Sequence, residues 1–266
     1  MSANPFISII VPTHRRPQLL RRAIASITTQ DLDQLTEIIV VSDEHHLETN
    51  TVANKALRPC DTFLRRSGQP GPSLSRNLGI SMARGNYLAF LDDDDEWHPN
   101  YLETLKSAGV FRARRFTFSD CVIVTEQRGH GEPTILEESP FEMSARLNEY
   151  IFVQNQIHMS CLLFPRDLLA DVRFDPYMLA YEDWDFILSV LKKEVPHYLP
   201  GIASRIHEVV DNTTDRRGDA AQAKGDQALV DYLYVYRRHP SPNAAVGQLR
   251  QKLLNRAGFP LKEALL

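Results

Sequence analysis

The sequence predicts an α/β fold with a Rossmann-like, mostly parallel central sheet flanked by helices. Two observations predict it. Short, near-continuous apolar runs alternate with segments of helical spacing through the first half of the chain, and strands apolar on both faces belong to parallel sheets covered by helices. Three of these runs end in polar residues, Pro12-Thr13, Ser42-Asp43 and Asp92 to Asp95, at the sheet edge where such folds bind ligands. The 266 residues suffice for one large domain or two small ones, and 43% apolar content can fill a core.

Phe6 to Val11 is the first buried strand, ended by Pro12. Leu19, Leu20, Ala23, Ile24 and Ile27 then follow helical spacing over residues 17–29, with Pro17 suited to the first turn. Glu37 to Val41 is a second strand, residues 48–57 a short helix, and Thr62 to Leu64 a third strand. Gly68 to Gly71 is a turn-rich loop, and Ser73 to Ala83 a helix closed by Gly85. Asn86 to Leu91 is the fourth strand, and Pro99 opens a helix that ends near Ser107.

The second half is less regular. Phe116 to Val124 and Cys161 to Phe164 read as strands, and residues 126–140 as an exposed loop rich in Gly, Pro and charge. Glu182 to Lys192 reads as a helix with Phe186, Ile187, Val190 and Leu191 on its core face. Gly201 to Ile206 is strand-like, residues 211–226 read as a polar loop, and helical patterns resume around His239 to Pro242. No internal repeat and no low-complexity tract interrupts this order.

Net charge is −4, which supplies no global basic field for nucleic acid. Arg15, Arg16, Arg21 and Arg22 cluster early, and Arg112, Arg114 and Arg115 mid-chain; solvated helix faces are the preferred reading, anionic lipid or phosphate the other. Cys60, Cys121 and Cys161 form no CxxC pair, which favours a reducing compartment over a disulfide framework. Met1 to Pro5 lacks the pattern of a signal peptide, and no apolar run reaches membrane-spanning length. A cytoplasmic protein, able to dock at the inner face of a membrane, is expected.

Tyr87 to Leu91 runs into Asp92-Asp93-Asp94-Asp95-Glu96. Most acid runs are solvated loops. At the end of a buried strand they need a cation, and carboxylates suit Mg²⁺ or Mn²⁺ shared with substrate phosphates. Neither GxGxxG nor a Walker A pattern is present to supply another phosphate site.

Ser8 to Thr13, Val40 to Asp43, Ser75-Arg76-Asn77-Leu78-Gly79, Gly85 to Asp95 and Glu182-Asp183-Trp184-Asp185 occur in the order seen in family 2 glycosyltransferases, and the resemblance covers roughly residues 6–210. It implies a GT-A fold and metal-dependent, inverting transfer of a sugar from a UDP- or dTDP-sugar to a hydroxyl of a glycan or lipid-linked acceptor, with cell-surface polysaccharide as the family-level guess. Residues 1–115 would form the nucleotide-sugar half, 116–210 the acceptor half of the same domain, and 211–266 a loop and helical tail. That tail is left three roles: closing over the donor, forming a homodimer, or touching a membrane.

The resemblance also assigns residues. Pro12 and Thr13 would lie against the nucleoside, and Asp43 would accept hydrogen bonds from base or ribose, where a turn or a cap are the structural alternatives. Arg66 and Arg76 are the basic candidates for base or diphosphate, against a loop and a helix surface. Asn77 and Gly79 are read as helix packing. Asp92 ends the strand, Asp93 and Asp94 are the candidates for ribose and metal, and Asp94 is the preferred ligand, with the register open by one residue. Asp183 matches the catalytic base, although acids in a first turn also suit the helix dipole. Glu182, Trp184 and His158 would face the acceptor, Trp184 with packing as its stronger alternative. His207 is a second metal candidate, and Arg205, on the same strand face, a phosphate candidate. A sugar nucleotidyltransferase would carry a Gly-rich loop after the first strand, where Pro12 to Arg16 has no glycine; a non-catalytic sugar- or nucleotide-binding module is the other rival.

Overall fold

The structure, a computed structural model, describes residues 7–31, 35–129, 133–210 and 220–259, without the side chains of 220–226. Strands β1 (Ile7–Thr13), β2 (Thr36–Ser42), β3 (Thr62–Arg65) and β4 (Tyr87–Phe90) alternate with helices α1 (Pro17–Thr28), α2 (Leu47–Ala56) and α3 (Pro72–Met82). A two-residue strand β5 (Glu96–Trp97) precedes α4 (Tyr101–Ser107) and α5 (Val110–Ala113). The second half contains β6 (Thr117–Gln127), β7 (Thr134–Phe141), β8 (Leu162–Pro165), α6 (Glu182–Leu191), β9 (His197–Val209), α7 (Ala220–Arg238) and α8 (Ala244–Arg256).

One sheet runs β3-β2-β1-β4-β8-β6-β9-β5, with β7 paired to β6. The pairs β3–β2, β2–β1 and β1–β4 are parallel, as the apolar runs predict, and every residue of β1 and β2 is buried. The second half departs from that pattern. β8 is antiparallel to β4 and β6, β5 is antiparallel to β9, and β6 and β9 are parallel. Of the loop expected over residues 126–140, residues 126–127 end β6 and 134–140 belong to strand β7, antiparallel to β6. Most of its residues are exposed, so no apolar alternation marks it, and Pro140 is tolerated at such an edge. Residues 211–219 lie outside the described set, and the polar segment after them is already helical at Ala220.

Packing fixes the site. Helix α1 buries Leu19, Leu20, Ala23, Ile24 and Ile27 on the sheet. Helix α3 comes so close that a Cβ on Gly79 would sit 2.4 Å from Ile10 Cγ2. Phe186 of α6 lies 5.7 Å, edge to face, from Phe90 of β4 and stacks at 3.9 Å on Phe174. The helix that begins at Glu182 is thereby docked on the strand that ends in the acid run. Among the described residues no helix is long and apolar enough to cross a membrane. The three cysteines are free, Cys121 and Cys161 buried and Cys60 exposed.

Candidate active site

Side chains in the acid run alternate. Asp92, Asp94 and Glu96 stay partly accessible while Asp93 and Asp95 turn inward. Asp93 Oδ2 accepts from Thr13 Oγ1 at 2.7 Å. Asp95 accepts from Ser160 Oγ at 2.8 Å and the His207 backbone N–H at 3.1 Å. Burial pushes both carboxyls up, Asp93 to about 6, with Arg16 opposing and Asp94 adding to it. Asp92 and Asp94 thus lie at the mouth, and Asp93 is turned toward Thr13.

The ends of β1 and β2 build a cleft lined by Pro12, Thr13, His14, Arg16, Asp43, Gly71, Pro72, Ser75 and Asp93. Thr13 and Ser42 are register partners, which sets Asp43 beside Thr13. Asp43 holds both walls: Oδ1 meets His14 Nδ1 at 2.6 Å, and Oδ2 accepts the Gly71 N–H at 2.8 Å. Arg66 stands behind that wall, with Nη2 3.7 Å from Asp43 Oδ2. It donates to Ser75 Oγ and to the carbonyls of Gln69 and Gly71, so it also ties the turn-rich loop to α3.

Arg76 is also no helix-surface residue. It is 2% exposed, with Nη2 donating to Asp92 Oδ1 at 2.7 Å and Nη1 to Glu182 Oε1 at 3.1 Å. Burial alone would lower its pKa, and the two carboxylates more than reverse that, so the guanidinium is held charged. Glu182, expected on the acceptor side, is buried and tethered to Arg76. Its neighbour Asp183 accepts from Asn155 Nδ2 at 3.1 Å and from the Trp184 N–H at 2.7 Å. Burial and the Glu182 carboxylate raise the Asp183 carboxyl to about 6, against the pull of Arg76. Trp184 departs from the acceptor-side expectation. It is fully buried, donates from Nε1 to the Ile151 carbonyl at 2.7 Å, and packs on Tyr232 and Tyr236. His158 does face a small pocket, with Phe141, Arg146, Asn155, Gln156 and Ile157, and Asn155 connects that pocket to Asp183.

On the far side of the run, β5–β9 pairing sets Arg205 opposite Glu96. Arg205 is held there by Glu138 of β7 at 2.6 Å. His207 does not present a free nitrogen to a metal: Nδ1 lies 2.8 Å from Glu126 and Nε2 2.8 Å from Glu96. Burial opposes protonation, but hydrogen bonds to the two carboxylates outweigh it and raise the pKa of the ring. The early arginine cluster divides: Arg15 and Arg21 are exposed, whereas Arg16 and Arg22 turn toward the acids. Arg16 reaches Asp94 at 3.0 Å, and Arg22 reaches Glu126 at 2.9 Å and the Asp94 carbonyl at 2.6 Å.

The donor chemistry fits a divalent cation at Asp92 and Asp94, two hard carboxylate ligands at the mouth with side chains 35% and 24% exposed. Among the described residues no cluster of three or more His, Cys, Asp or Glu encloses a metal position. Substrate oxygens and water would complete the shell, as is usual for Mg²⁺. Sequence reasoning missed Glu126, Arg128 and Asn155, whose partners Arg22, His207, Asp94 and Asp183 lie far along the chain.

The family profile described as Glycosyl transferase family 2 matches residues 8–164. A glycosyl transferase of Escherichia coli strain K12 named for colanic acid biosynthesis, WcaA, is 28% identical over 248 residues, 90% of this chain and 83% of its own length. S. aureus TarS 1-349 in complex with UDP-GlcNAc superposes with a TM-score of 0.61 at 18% identity, over 94% of this chain and 72% of that one. The mannosyltransferase PcManGT from Pyrobaculum calidifontis, in complex with GDP-Man and Mn²⁺, gives 0.56 at 17% identity, over 99% and 78%. At those identities the two structures speak for the fold.

Proposed function

The chain belongs to glycosyl transferase family 2, and from that premise we propose that it transfers a sugar, with inversion, from a nucleotide sugar to a hydroxyl of a glycan or lipid-linked acceptor. One observation carries the reading: Arg76 bonds both Asp92 of the acid run and Glu182 beside Asp183, so a candidate donor site and a candidate base share one cleft. The nucleoside would lie along Pro12, Thr13 and Asp43. Asp43 is already spanned between His14 and Gly71, and a base or ribose donor would exchange with one of those partners.

Asp183 would take the proton of the acceptor hydroxyl as its oxygen bonds to the anomeric carbon, while the bond from that carbon to the phosphate oxygen breaks and the nucleoside diphosphate leaves. A carboxyl titrating near 6 is ionised at neutral pH yet basic enough to accept. Asn155 fixes its orientation. Arg76 and Glu182 would position it without touching the substrate. A divalent cation at Asp92 and Asp94, such as the Mn²⁺ bound with GDP-Man in PcManGT, would supply positive charge for the leaving diphosphate. The naming of the E. coli relative points to a polysaccharide acceptor.

The test is a panel of UDP-, dTDP- and GDP-sugars with Mn²⁺, read as released nucleoside diphosphate. Release from one donor that disappears in Asp94→Ala supports the proposal. No release from any donor, with or without a polysaccharide acceptor, would overturn the donor assignment.

A further inference from the structure

We propose that Arg128 is a ligand of the donor diphosphate, and that before the donor arrives it occupies Asp94 in competition with the divalent cation. The inference rests on the nucleotide-sugar reading above and goes beyond it.

Three observations carry it. First, Arg128 is anchored at one end of its guanidinium. Nε donates to Glu126 Oε1 at 2.6 Å, and the side chain is only 8% exposed. Glu126 is itself fixed, fully buried and bonded by Arg22 and His207. Second, the other end is loosely held. Nη1 and Nη2 both lie 3.4 Å from the same oxygen, Asp94 Oδ2, whereas charged pairs normally close to about 2.7–2.9 Å. A planar fork with a tight stem and two slack prongs is built to exchange one oxyanion for a better one, and diphosphate oxygens match its geometry. Third, Asp94 Oδ2 is also held by Arg16, which lines the nucleoside cleft at 3.0 Å from that oxygen. Asp94 is therefore flanked by one guanidinium on the nucleoside side and one from the β6 side. A cation that takes Asp94 must displace the weaker contact, and the freed prongs of Arg128 then face the phosphates that the cation binds.

The competition sets two effects of opposite sign. In Arg128→Met, Mn²⁺ alone should bind several-fold more tightly, because Asp94 has lost a competing cation. With Mn²⁺ saturating, the nucleoside diphosphate preferred by the wild type among UDP, dTDP and GDP should bind about tenfold more weakly, while its monophosphate is unchanged, since tenfold is the loss of one charged hydrogen bond worth about 1.4 kcal/mol. Both are measured by titration calorimetry, with no turnover involved. Arg128→Gln, which keeps an N–H donor for Glu126, is carried alongside in case the Met variant unfolds. Unchanged diphosphate binding, an equal loss for mono- and diphosphate, or unchanged Mn²⁺ affinity would each overturn the proposal. If the wild type binds none of the nucleotides, the donor reading itself fails instead.

Discussion

Asp92 and Glu182 come from opposite halves of the chain and meet on one buried guanidinium, that of Arg76. The ring of Phe174 lies 5.1 Å from its carbon and closes the remaining face. A charge so enclosed is tolerable only while both partners stay in place.

Arg76→Met should therefore cost about 3–5 kcal/mol, because it leaves the Glu182 carboxylate buried without its cation and takes the partner from Asp92 at the mouth. Chemical denaturation measures this directly. A loss below 1 kcal/mol would mean that Asp92 and Glu182 find water instead. Any folded fraction should also lose transfer, since the tether between the acid run and α6 is gone.

Asp183→Asn should lower kcat by a factor of about 10²–10⁴, the usual contribution of a general base, and leave the affinity for nucleoside diphosphate intact. Steady-state transfer and a parallel binding titration separate the two effects. Transfer at the wild-type rate would remove Asp183 from the mechanism.

Much of this architecture was legible before any coordinates. β1, β2 and β4 are apolar on both faces, and α1 keeps helical spacing, so local pattern dictated them. Which acids face the mouth was not legible: the chain leaves the strand after Phe90, and a turn closed by the Asp95 N–H on the Asp92 carbonyl decides which side chains stay accessible. The arginines were not legible. Arg16, Arg22, Arg76 and Arg128 look like surface residues in a linear chain, and their burial follows only from acids brought in by other strands. β7 escaped for the opposite reason, because an exposed edge strand has no buried face to imprint a pattern. Trp184 shows that a motif residue beside Asp183 can belong wholly to the core.

Gly85 was read as the stop of α3, but its role is close approach. The helix is capped at Ala83, and a Cβ on Gly85 would lie 2.7 Å from Ser8 N and 2.8 Å from Ser8 Oγ. Ser8 Oγ accepts the Gly85 N–H at 2.8 Å and donates to Glu37 at 2.6 Å, so the neighbour has no room to yield. Gly85→Ala should cost about 1–3 kcal/mol as overpacking. It lies at the strand ends opposite the candidate site, so kcat per folded molecule should not change. A thermal melt with no shift would show that β1 and β4 can separate to admit the methyl group.

The raised pKa of Asp183 predicts a pH limb and a stability effect that share one cause. As a base the carboxyl must be ionised, so kcat/KM should fall about tenfold per unit below about pH 6. For stability the sign is reversed. The folded pKa lies above the unfolded value of 3.8, so the folded state holds its proton more tightly, and native stability declines as pH rises through that interval. At neutral pH the ionised carboxylate is therefore a strain on the fold, set by burial and by Glu182. Asp183→Asn removes that charge. It should melt at a higher temperature than the wild type at pH 7 and at nearly the same temperature at pH 4, while being inactive at both. Equal midpoints at pH 7 would mean that Asn155 and the Trp184 N–H already stabilise the carboxylate enough to cancel its burial, and the limb in kcat/KM should then move down toward pH 4 with it.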